Sequence, residues 1–309
     1  MVRLRYNRSG TMTNKIKTMK IFFIIFILLF ASLTTIVTGN NNLYTDNFQN
    51  TENIISIQLN NTTKNYWAVL IGLNNYPGTE NDLPFSVNEI TSFQNTLLNT
   101  KNWKQSNIRI ITDNNATNSS LINAMQWLDE NEDSNDVSIF YFAGHGSCDY
   151  EGHEYIRLFD SKIIDEELDR HLDNLEGQVI VILDSCKSGG FIEELHQNKR
   201  IILTACSKYE LAYQDFNLQN GIFGYYLNIS LAKFAKSAEL AFLFTYPLCV
   251  YYSKKISEQY NTDYTFHPAK DDNTIGLSKI ITWRKFLPNS SVNISSLISK
   301  FRDFKIWIL

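Results

Sequence analysis

Short apolar runs alternate along this chain with longer segments whose apolar residues recur at helical spacing. Five runs predict buried strands, because they are rich in β-branched and aromatic residues without polar alternation: 66–72, 108–112, 137–143, 179–183 and 200–206. Between them, helical spacing predicts helices from about Ser86, after Asn118 as N-cap, from Asp165 and around residues 191–196. Strands and helices in this alternation indicate right-handed crossovers. We therefore expect an α/β fold, a doubly wound, mostly parallel sheet flanked by helices on both faces.

The remaining pattern predicts smaller additions to this sheet. Residues 148–161 contain short apolar patches around a glycine, which is typical of a β-hairpin, here beside the end of the third strand. Two helical stretches follow Gly221, and the second contains an apolar run, 240–252, that is interrupted by Pro247 and too short to span a membrane. Residues 280–283 predict an edge strand. We assign residues 277–309 no function.

Two of the predicted strands end in small and reactive residues. Residues 144–147 (Gly-His-Gly-Ser) follow the third strand, and residues 184–190 (Asp-Ser-Cys-Lys-Ser-Gly-Gly) follow the fourth. Since parallel strands gather ligands at their carboxyl ends, we expect His145 and Cys186 to face each other across one crevice. A thiol needs a base to become a good nucleophile, and histidine titrates near neutral pH. The backbone amides of Gly146 and Cys186 then suit an oxyanion hole.

Composition narrows the function classes. The 309 residues, 44% hydrophobic and 19% charged, suffice for one sizeable domain plus appendages or for two small domains, and they exclude a disordered chain. A net charge of -4 argues against nucleic acid as a partner. The four cysteines, at positions 148, 186, 206 and 249, lack the CxxC spacing of a metal site, and a disulfide among those other than Cys186 is left open.

The N-terminus predicts export of the chain. Basic residues precede an uncharged run, 21–39, which is either a cleaved signal peptide or a membrane anchor. In both cases the remainder is expected to be extracytoplasmic, secreted or anchored by one N-terminal transmembrane helix, and it contacts the membrane only if that segment is retained. We divide the chain into this segment (1–39), an Asn- and Thr-rich linker (40–64), a catalytic domain (65–276) and a C-terminal tail (277–309).

The two reactive strand ends also resemble a known family. Residues 141–147 (Tyr-Phe-Ala-Gly-His-Gly-Ser) and 183–191 (Leu-Asp-Ser-Cys-Lys-Ser-Gly-Gly-Phe) are similar to the His and Cys motifs of caspase-like cysteine peptidases, closest to metacaspases and their prokaryotic relatives. The similarity extends from Tyr66 to about Gly276. It implies a caspase-like fold, protein or peptide substrates and no cofactor for the chemistry. It also implies that Cys186 forms a thioester acyl-enzyme, while His145 protonates the leaving amine and then activates water.

The position of Asp184 predicts the substrate preference. Residues two apart in a strand share a face, so Asp184 and Cys186 point toward the same crevice, where a carboxylate suits a basic P1 side chain. Metacaspases, which the chain resembles, cleave after Arg or Lys. No Arg or Lys lies between residues 64 and 101, which argues against a preference for P1 aspartate. Asp113 is a second candidate for this S1 pocket. Ala143 departs from the family pattern, which has Ser at that place.

The resemblance further suggests calcium, which many metacaspases bind through acidic residues. The corresponding acids here are Asp160, Asp165, Glu166 and Glu193, although a helix first turn and a solvated surface explain them equally well. Two other functions remain open. One is a catalytically weak or inactive caspase-like domain that serves as a scaffold or adhesion module. The other is an acyl-transfer variant of the same site, such as a ligase or transpeptidase.

Overall fold

The protein is described by a computed structural model, and the structure describes residues 64–282. All of these residues lie within one compact unit. The strands are β1 Tyr66–Gly72, β2 Ile108–Thr112, β3 Val137–Ala143, β4 Gly146–Cys148, β5 Glu154–Arg157, β6 Lys162–Ile164, β7 Gln178–Asp184, β8 Arg200–Thr204, β9 Gln214–Asp215, β10 Asn220–Gly221 and β11 Ala269–Asp272. The α-helices are α1 Ser86–Leu98, α2 Asn118–Asn131, α3 Asp165–Leu172, α4 Phe191–Leu195, α5 Ile222–Lys233 and α6 Ala238–Tyr260.

The central sheet has six strands in the order β11-β8-β7-β3-β1-β2. The five strands predicted from the apolar runs are all parallel, and β11 alone pairs antiparallel, with β8. From β1 the chain first adds β2 on one side and then adds β3 and the later strands on the other. The direction in which strands are added therefore reverses between β1 and β3. This arrangement confirms the predicted α/β class, and it makes the carboxyl edge near β1 and β3 the expected place for a ligand.

Each face of the sheet carries its own apolar core, because successive side chains of a strand point to opposite faces. In β1, Ala68 and Leu70 join the core formed with α1, α5 and α6, whereas Val69 and Ile71 join the core formed with α2, α3 and α4. Four of the six strands, β1, β3, β7 and β8, are thus buried between helices, whereas β2 and β11 are the edge strands and are partly exposed. The lack of polar alternation in the four buried strands is explained by this double burial.

Two small antiparallel sheets flank the carboxyl edge. The hairpin predicted at residues 148–161 belongs to a three-stranded antiparallel sheet in the order β4-β5-β6. This sheet begins directly after His145, with β4. The second small sheet pairs β9 with β10. Both sheets place loops next to the ends of β3 and β7.

Two local predictions are corrected. The N-cap of α2 is Thr117, whose side chain accepts the N–H of Ser120, and Asn118 is already the first helical residue. The edge strand is β11, and residues 280–282, the described part of the predicted strand 280–283, do not belong to the sheet. The N–H groups of Ile280 and Ile281 both donate to the carbonyl of Lys236, so this segment ties down the start of α6 instead of extending the sheet.

The structure does not describe residues 1–63 and 283–309, so the predicted signal peptide or anchor, nearly all of the linker and most of the tail lie outside it. The domain boundaries therefore stay predictions. Within residues 64–282, no helix combines the length and the apolar character that crossing a membrane requires.

Candidate active site

The pairing of β3 with β7 brings His145 and Cys186 to the same edge of the sheet. Ala143 lies opposite Asp184 in this parallel ladder, and the N–H of Gly144 donates to the carbonyl of Asp184 at 3.2 Å. His145 and Cys186 each follow that matched pair by two residues. A Cβ on Gly146 would lie only 2.8 Å from the carbonyl oxygen of Cys186, so the two strand ends are in close contact.

Backbone groups and one aromatic ring orient His145. Its Nε2 lies 2.8 Å from the carbonyl oxygen of Asn81, and its N–H donates to the hydroxyl of Tyr76 at 2.9 Å. The Tyr76 ring packs against the imidazole with 4.8 Å between ring centroids. Because a carbonyl only accepts, this hydrogen bond requires the proton on Nε2 and leaves the lone pair on Nδ1. Nδ1 is therefore the basic nitrogen of His145.

The loop between β1 and α1, which carries Asn81 and Tyr76, is held by two aspartates. Asp113 accepts the N–H groups of Asn74 at 2.8 Å and Asn75 at 2.9 Å through one carboxylate oxygen. Asp82 accepts the N–H of Tyr76 at 2.9 Å. Asp113 was predicted as an S1 residue, but its observed contacts are with this loop. Its place in the S1 pocket stays a prediction, and the contacts observed for it hold the loop that also contacts His145.

Cys186 is half-buried, and its thiol is held in the neutral form. The Sγ atom lies 3.6 Å from the carbonyl oxygen of Ala212, to which the S–H donates. Burial raises the pKa of the Cys186 thiol above its ordinary value, and the negative charge of Asp184 raises it further. A resting thiol of this kind needs a base during the reaction. All four cysteines of the chain lie in the described region, and all are free.

Asp184 is paired with a second buried acid, Glu89 of α1. The two carboxyl groups hydrogen bond to each other. Asp184 Oδ2 accepts the N–H of Gly224 at 2.9 Å, while Glu89 accepts the N–H of Gly221 at 3.0 Å and the hydroxyl of Tyr141 at 2.7 Å. This network holds both carboxyl groups below the Cys186 end of β7.

Two neighbouring buried acids do not both ionise readily. Burial raises the pKa of Asp184 to about 6. Burial, and next the charge of Asp184, raise the pKa of Glu89 well above its ordinary value. The pair therefore retains a proton at neutral pH and would release it when a cation enters. Ala143, opposite Asp184, is buried and contributes no hydroxyl to this network.

Glu89 was not found from the sequence, although a signal was present. It lies on the core side of α1, next to Ile90, where an acid without a partner would be costly. The role of Asn81 had no such signal, because its contribution is a backbone carbonyl. Tyr76 lies in the loop after β1, and nothing in the sequence indicated the contact of its hydroxyl with His145.

The four acids predicted for calcium do not form a metal site in this arrangement. Asp160 accepts the N–H of Asn118 at 2.9 Å, and Asp165 accepts the N–H of Glu166 at 3.1 Å. Glu193 pairs instead with the ammonium group of Lys208 at 2.7 Å. Across residues 64–282, no three His, Cys, Asp or Glu side chains are grouped closely enough to hold a metal ion. These residues do not fit a preformed calcium site, and we route no step of the chemistry through a metal.

Known proteins resemble this chain in sequence. The family model of the caspase domain matches residues 65–264. Metacaspase-1 of Schizosaccharomyces pombe is 28% identical over 147 residues, which cover 41% of this chain and 34% of the relative. Metacaspase-4 of Arabidopsis thaliana is 31% identical over 144 residues, which cover 41% of this chain and 34% of the relative. The chain thus spans about a third of the length of these curated relatives.

Solved structures share the fold. Caspase-1 of Spodoptera frugiperda superposes with a TM-score of 0.55 at 11% identity, covering 72% of this chain and 92% of that one. Protein GSU0716 of Geobacter sulfurreducens gives a TM-score of 0.52 at 15% identity, covering 72% of this chain and all of that one. At these identities the likeness concerns the fold, and it confirms the predicted caspase-like architecture.

Proposed function

The chain belongs to the caspase-domain family of peptidases, and from that premise we propose that it is a cysteine endopeptidase that cleaves proteins or peptides after Arg or Lys. Cys186 is the nucleophile and His145 is the acid and base. The observation that carries the proposal is the matched register of β3 and β7, which gives both side chains the same height at one edge of the sheet. The carbonyl of Asn81 supports it, since that contact leaves Nδ1 of His145 free to take a proton.

The proposed reaction starts from a neutral thiol. Nδ1 of His145 takes the thiol proton as Sγ of Cys186 bonds to the substrate carbonyl carbon. The imidazolium then gives that proton to the leaving amine, the C–N bond breaks, and a thioester remains on Cys186. Water attacks this thioester while His145 takes its proton, and the carboxylate product leaves as the thiol is restored.

Backbone N–H groups of Gly146 and Cys186 are proposed to bind the oxyanion. The N–H of Arg157 donates to the carbonyl of His145 at 2.9 Å, so these two residues form a hydrogen-bonded pair of the β4-β5 ladder. Gly146 and Ile156, which come next, are then a non-hydrogen-bonded pair. The N–H of Gly146 is therefore directed away from β5, where a developing negative charge can use it.

The Glu89 and Asp184 carboxyl groups are proposed as the floor of the S1 pocket. An Arg or Lys side chain that approached them would favour release of their shared proton. Two negatively charged carboxylates would then face the single positive charge of the substrate. An aspartate in the same place would face buried acids and no cation. The preference for basic P1 residues is thus proposed from Glu89 and Asp184, whereas the sequence suggested Asp184 and Asp113.

A panel of fluorogenic peptides with Arg, Lys, Asp or Asn at P1 tests the proposal. We expect turnover with Arg and Lys only, and its loss in Cys186→Ala and His145→Ala. His171→Ala, at a histidine of α3, is the matched control that should remain active. Unchanged activity in both site variants would disprove the dyad, and a preference for Asp would disprove the S1 assignment. Assays with calcium and with a calcium chelator test the remaining metal hypothesis.

We also propose that the domain acts outside the cytoplasm, secreted or anchored through its N-terminal segment. Support comes only from the basic residues and the uncharged run at 21–39. Protease treatment of intact cells, together with the mass of the mature chain, distinguishes the secreted protein from the anchored one. Accessibility only after lysis would refute both.

A further inference from the structure

A second concave region lies on the His145 side of the site. Its volume is about 430 Å³, and it is formed by the β5-β6 hairpin and the turn after β1. Its lining includes Pro77, Tyr155, Arg157, Phe159, Asp160 and Lys162. The proposed chemistry makes no use of this cavity.

The cavity is continuous with the surroundings of His145. The guanidinium of Arg157 lies 5.3 Å from the centroid of the Tyr76 ring, and that ring packs on the imidazole. The backbone of Arg157 also donates to the carbonyl of His145. Because His145 protonates the leaving amine, the half of the substrate after the scissile bond must leave from this side. The acids Glu89 and Asp184 mark the other half.

Two cations of this cavity are held by aromatic rings and not by acids. Arg157 lies over Tyr76, and the ammonium of Lys162 lies 4.7 Å from the centroid of the Tyr155 ring. In the part of the chain that the structure describes, neither cation has a carboxylate oxygen within 4.0 Å. Asp160, the acid in the lining, accepts the N–H of Asn118 and the hydroxyl of Ser161. The cavity therefore presents two uncompensated positive charges against one engaged carboxylate.

We infer that this cavity is a primed-side subsite that takes an Asp or Glu side chain of the substrate, within the first three residues after the scissile bond. The inference rests on the proposed function, since it uses the side of His145 from which the amine leaves. A ring beneath each cation keeps the charge in place without neutralising it, so an incoming carboxylate gains two partners. A bidentate contact with Arg157 adds geometric selectivity. The expected substrates are therefore peptides with a basic P1 residue and an acidic residue within the first three positions after the scissile bond.

The size of the preference follows from the partial exposure of both cations. Exposed ion pairs each contribute up to about 1 kcal/mol, which corresponds to roughly a fivefold change in an equilibrium constant. We therefore expect kcat/KM for a Glu peptide to exceed that for the matching Lys peptide by about threefold to tenfold at the responsive position. Raising the salt concentration should shrink this ratio, because screening weakens exposed charges.

The test uses internally quenched peptides with a constant P1 Arg and with Glu, Gln or Lys at the first, second or third position after it. The Glu/Lys ratio of kcat/KM is compared within each variant, so a general loss of activity cancels. Arg157→Gln and Lys162→Gln should each lower the ratio toward 1, and Lys162→Glu should lower it further. Lys104→Gln, at an exposed lysine just before β2, is the matched control and should keep the wild-type ratio.

Binding of the same labelled peptides to full-length Cys186→Ala protein, followed by fluorescence anisotropy, repeats the comparison without turnover. We expect the Glu peptide to bind about threefold or more tighter than the Lys peptide, with the difference lost in Cys186→Ala chains that also carry Arg157→Gln or Lys162→Gln. Equal affinities for Glu, Gln and Lys peptides at all three positions would overturn the subsite. Absence of any hydrolysis after Arg would instead refute the proposed function, and the binding comparison would still decide the subsite.

Discussion

At the scale of single residues, the site is organised by groups that hold His145 and the carboxyl of Asp184 in place. The hydroxyl of Tyr76 accepts a hydrogen bond from the backbone N–H of His145. The carbonyl of Asn81 accepts one from Nε2 and so fixes the tautomer of the His145 imidazole. Asp184 is held by the N–H of Gly224 and by Glu89. Each of these two groups, proposed for reaction and for binding, thus has a partner from another segment, which is how a scaffold keeps a catalytic geometry.

Removal of the Tyr76 hydroxyl tests this support. Tyr76→Phe keeps the ring that packs on His145 but leaves the N–H of His145 without its partner, at a cost of about 1–3 kcal/mol. We expect kcat to fall by roughly tenfold as the imidazole is held less firmly, with little change in KM. Steady-state kinetics on a P1 Arg peptide measures this. Tyr260→Phe, at an exposed tyrosine, is the control, and an equal kcat in all three proteins would contradict the role of the hydroxyl.

Side-chain chemistry at strand ends was predictable from the sequence, whereas support by backbone atoms and distant segments was not. His145, Cys186 and Asp184 could be placed because they directly follow or end apolar runs. Asn81 acts through a carbonyl that every residue has, so its type carries no information. Glu89 meets Asp184 only after α1 packs on the sheet, although an acid on the apolar side of a helix was a usable warning.

At the scale of elements, the proposed active site is a contact between two strand ends. The first residue of β4, Gly146, lies so close to the residues after β7 that a Cβ there would be 2.5 Å from Ser185 Oγ and 2.8 Å from the Cys186 carbonyl oxygen. The three-stranded side sheet can approach β7 only because this position has no side chain. Glycine is therefore required here by packing as well as by the proposed oxyanion contact.

Gly146→Ala is expected to separate these elements. The methyl group must displace backbone at Cys186, which costs about 1–3 kcal/mol of stability and moves both oxyanion donors. We expect kcat/KM to fall by about 100-fold or more, since one lost oxyanion donor alone has an effect of that size. Ser147→Ala, the next residue, serves as the control for side-chain removal in β4. A folded Gly146→Ala protein with wild-type kinetics would be inconsistent with this packing.

The predictability of the elements follows their burial. Four of the five parallel strands were evident because both faces of each are covered, which leaves an apolar run in the sequence. The fifth, β2, is an edge strand with Arg109 exposed, and its isoleucines made it evident. The edge strand β11 was missed, because Ala-Lys-Asp-Asp has the charge typical of a protected edge and little strand propensity. The buried Ile280 and Ile281 suggested a strand, but their N–H groups are used by Lys236 in a loop contact.

At the scale of the whole molecule, the fold retains a buried acid pair that works against its own stability. Burial raises the pKa of Asp184 from 3.8 to about 6, so the folded state binds this proton more tightly than the unfolded chain does. The corresponding stabilisation is fully present below pH 3.8 and is lost as the pH rises through about 6. Binding of a P1 cation changes in the opposite direction, because an ionised carboxyl group holds a cation better. Stability and activity should therefore have opposite pH trends between about pH 5 and 7.

Asp184→Asn separates the two trends. The amide can still accept the N–H of Gly224 and can donate to Glu89, but it no longer ionises. The free energy of unfolding of the variant, relative to that of wild type, should therefore increase by roughly 1–3 kcal/mol between pH 5 and pH 8. We also expect kcat/KM for cleavage after Arg to fall at least tenfold.

Urea unfolding at pH 5 and pH 8 measures the first effect, and peptide hydrolysis measures the second. Asp129→Asn, at an exposed acid of α2, should reproduce the wild-type pH dependence of both. If Asp184→Asn kept that dependence too, the acid pair would not couple the stability of the fold to recognition of a basic P1 residue. If the dependence is lost, the low stability above pH 6 is the energetic cost of keeping two carboxyl groups where a substrate cation can reach them.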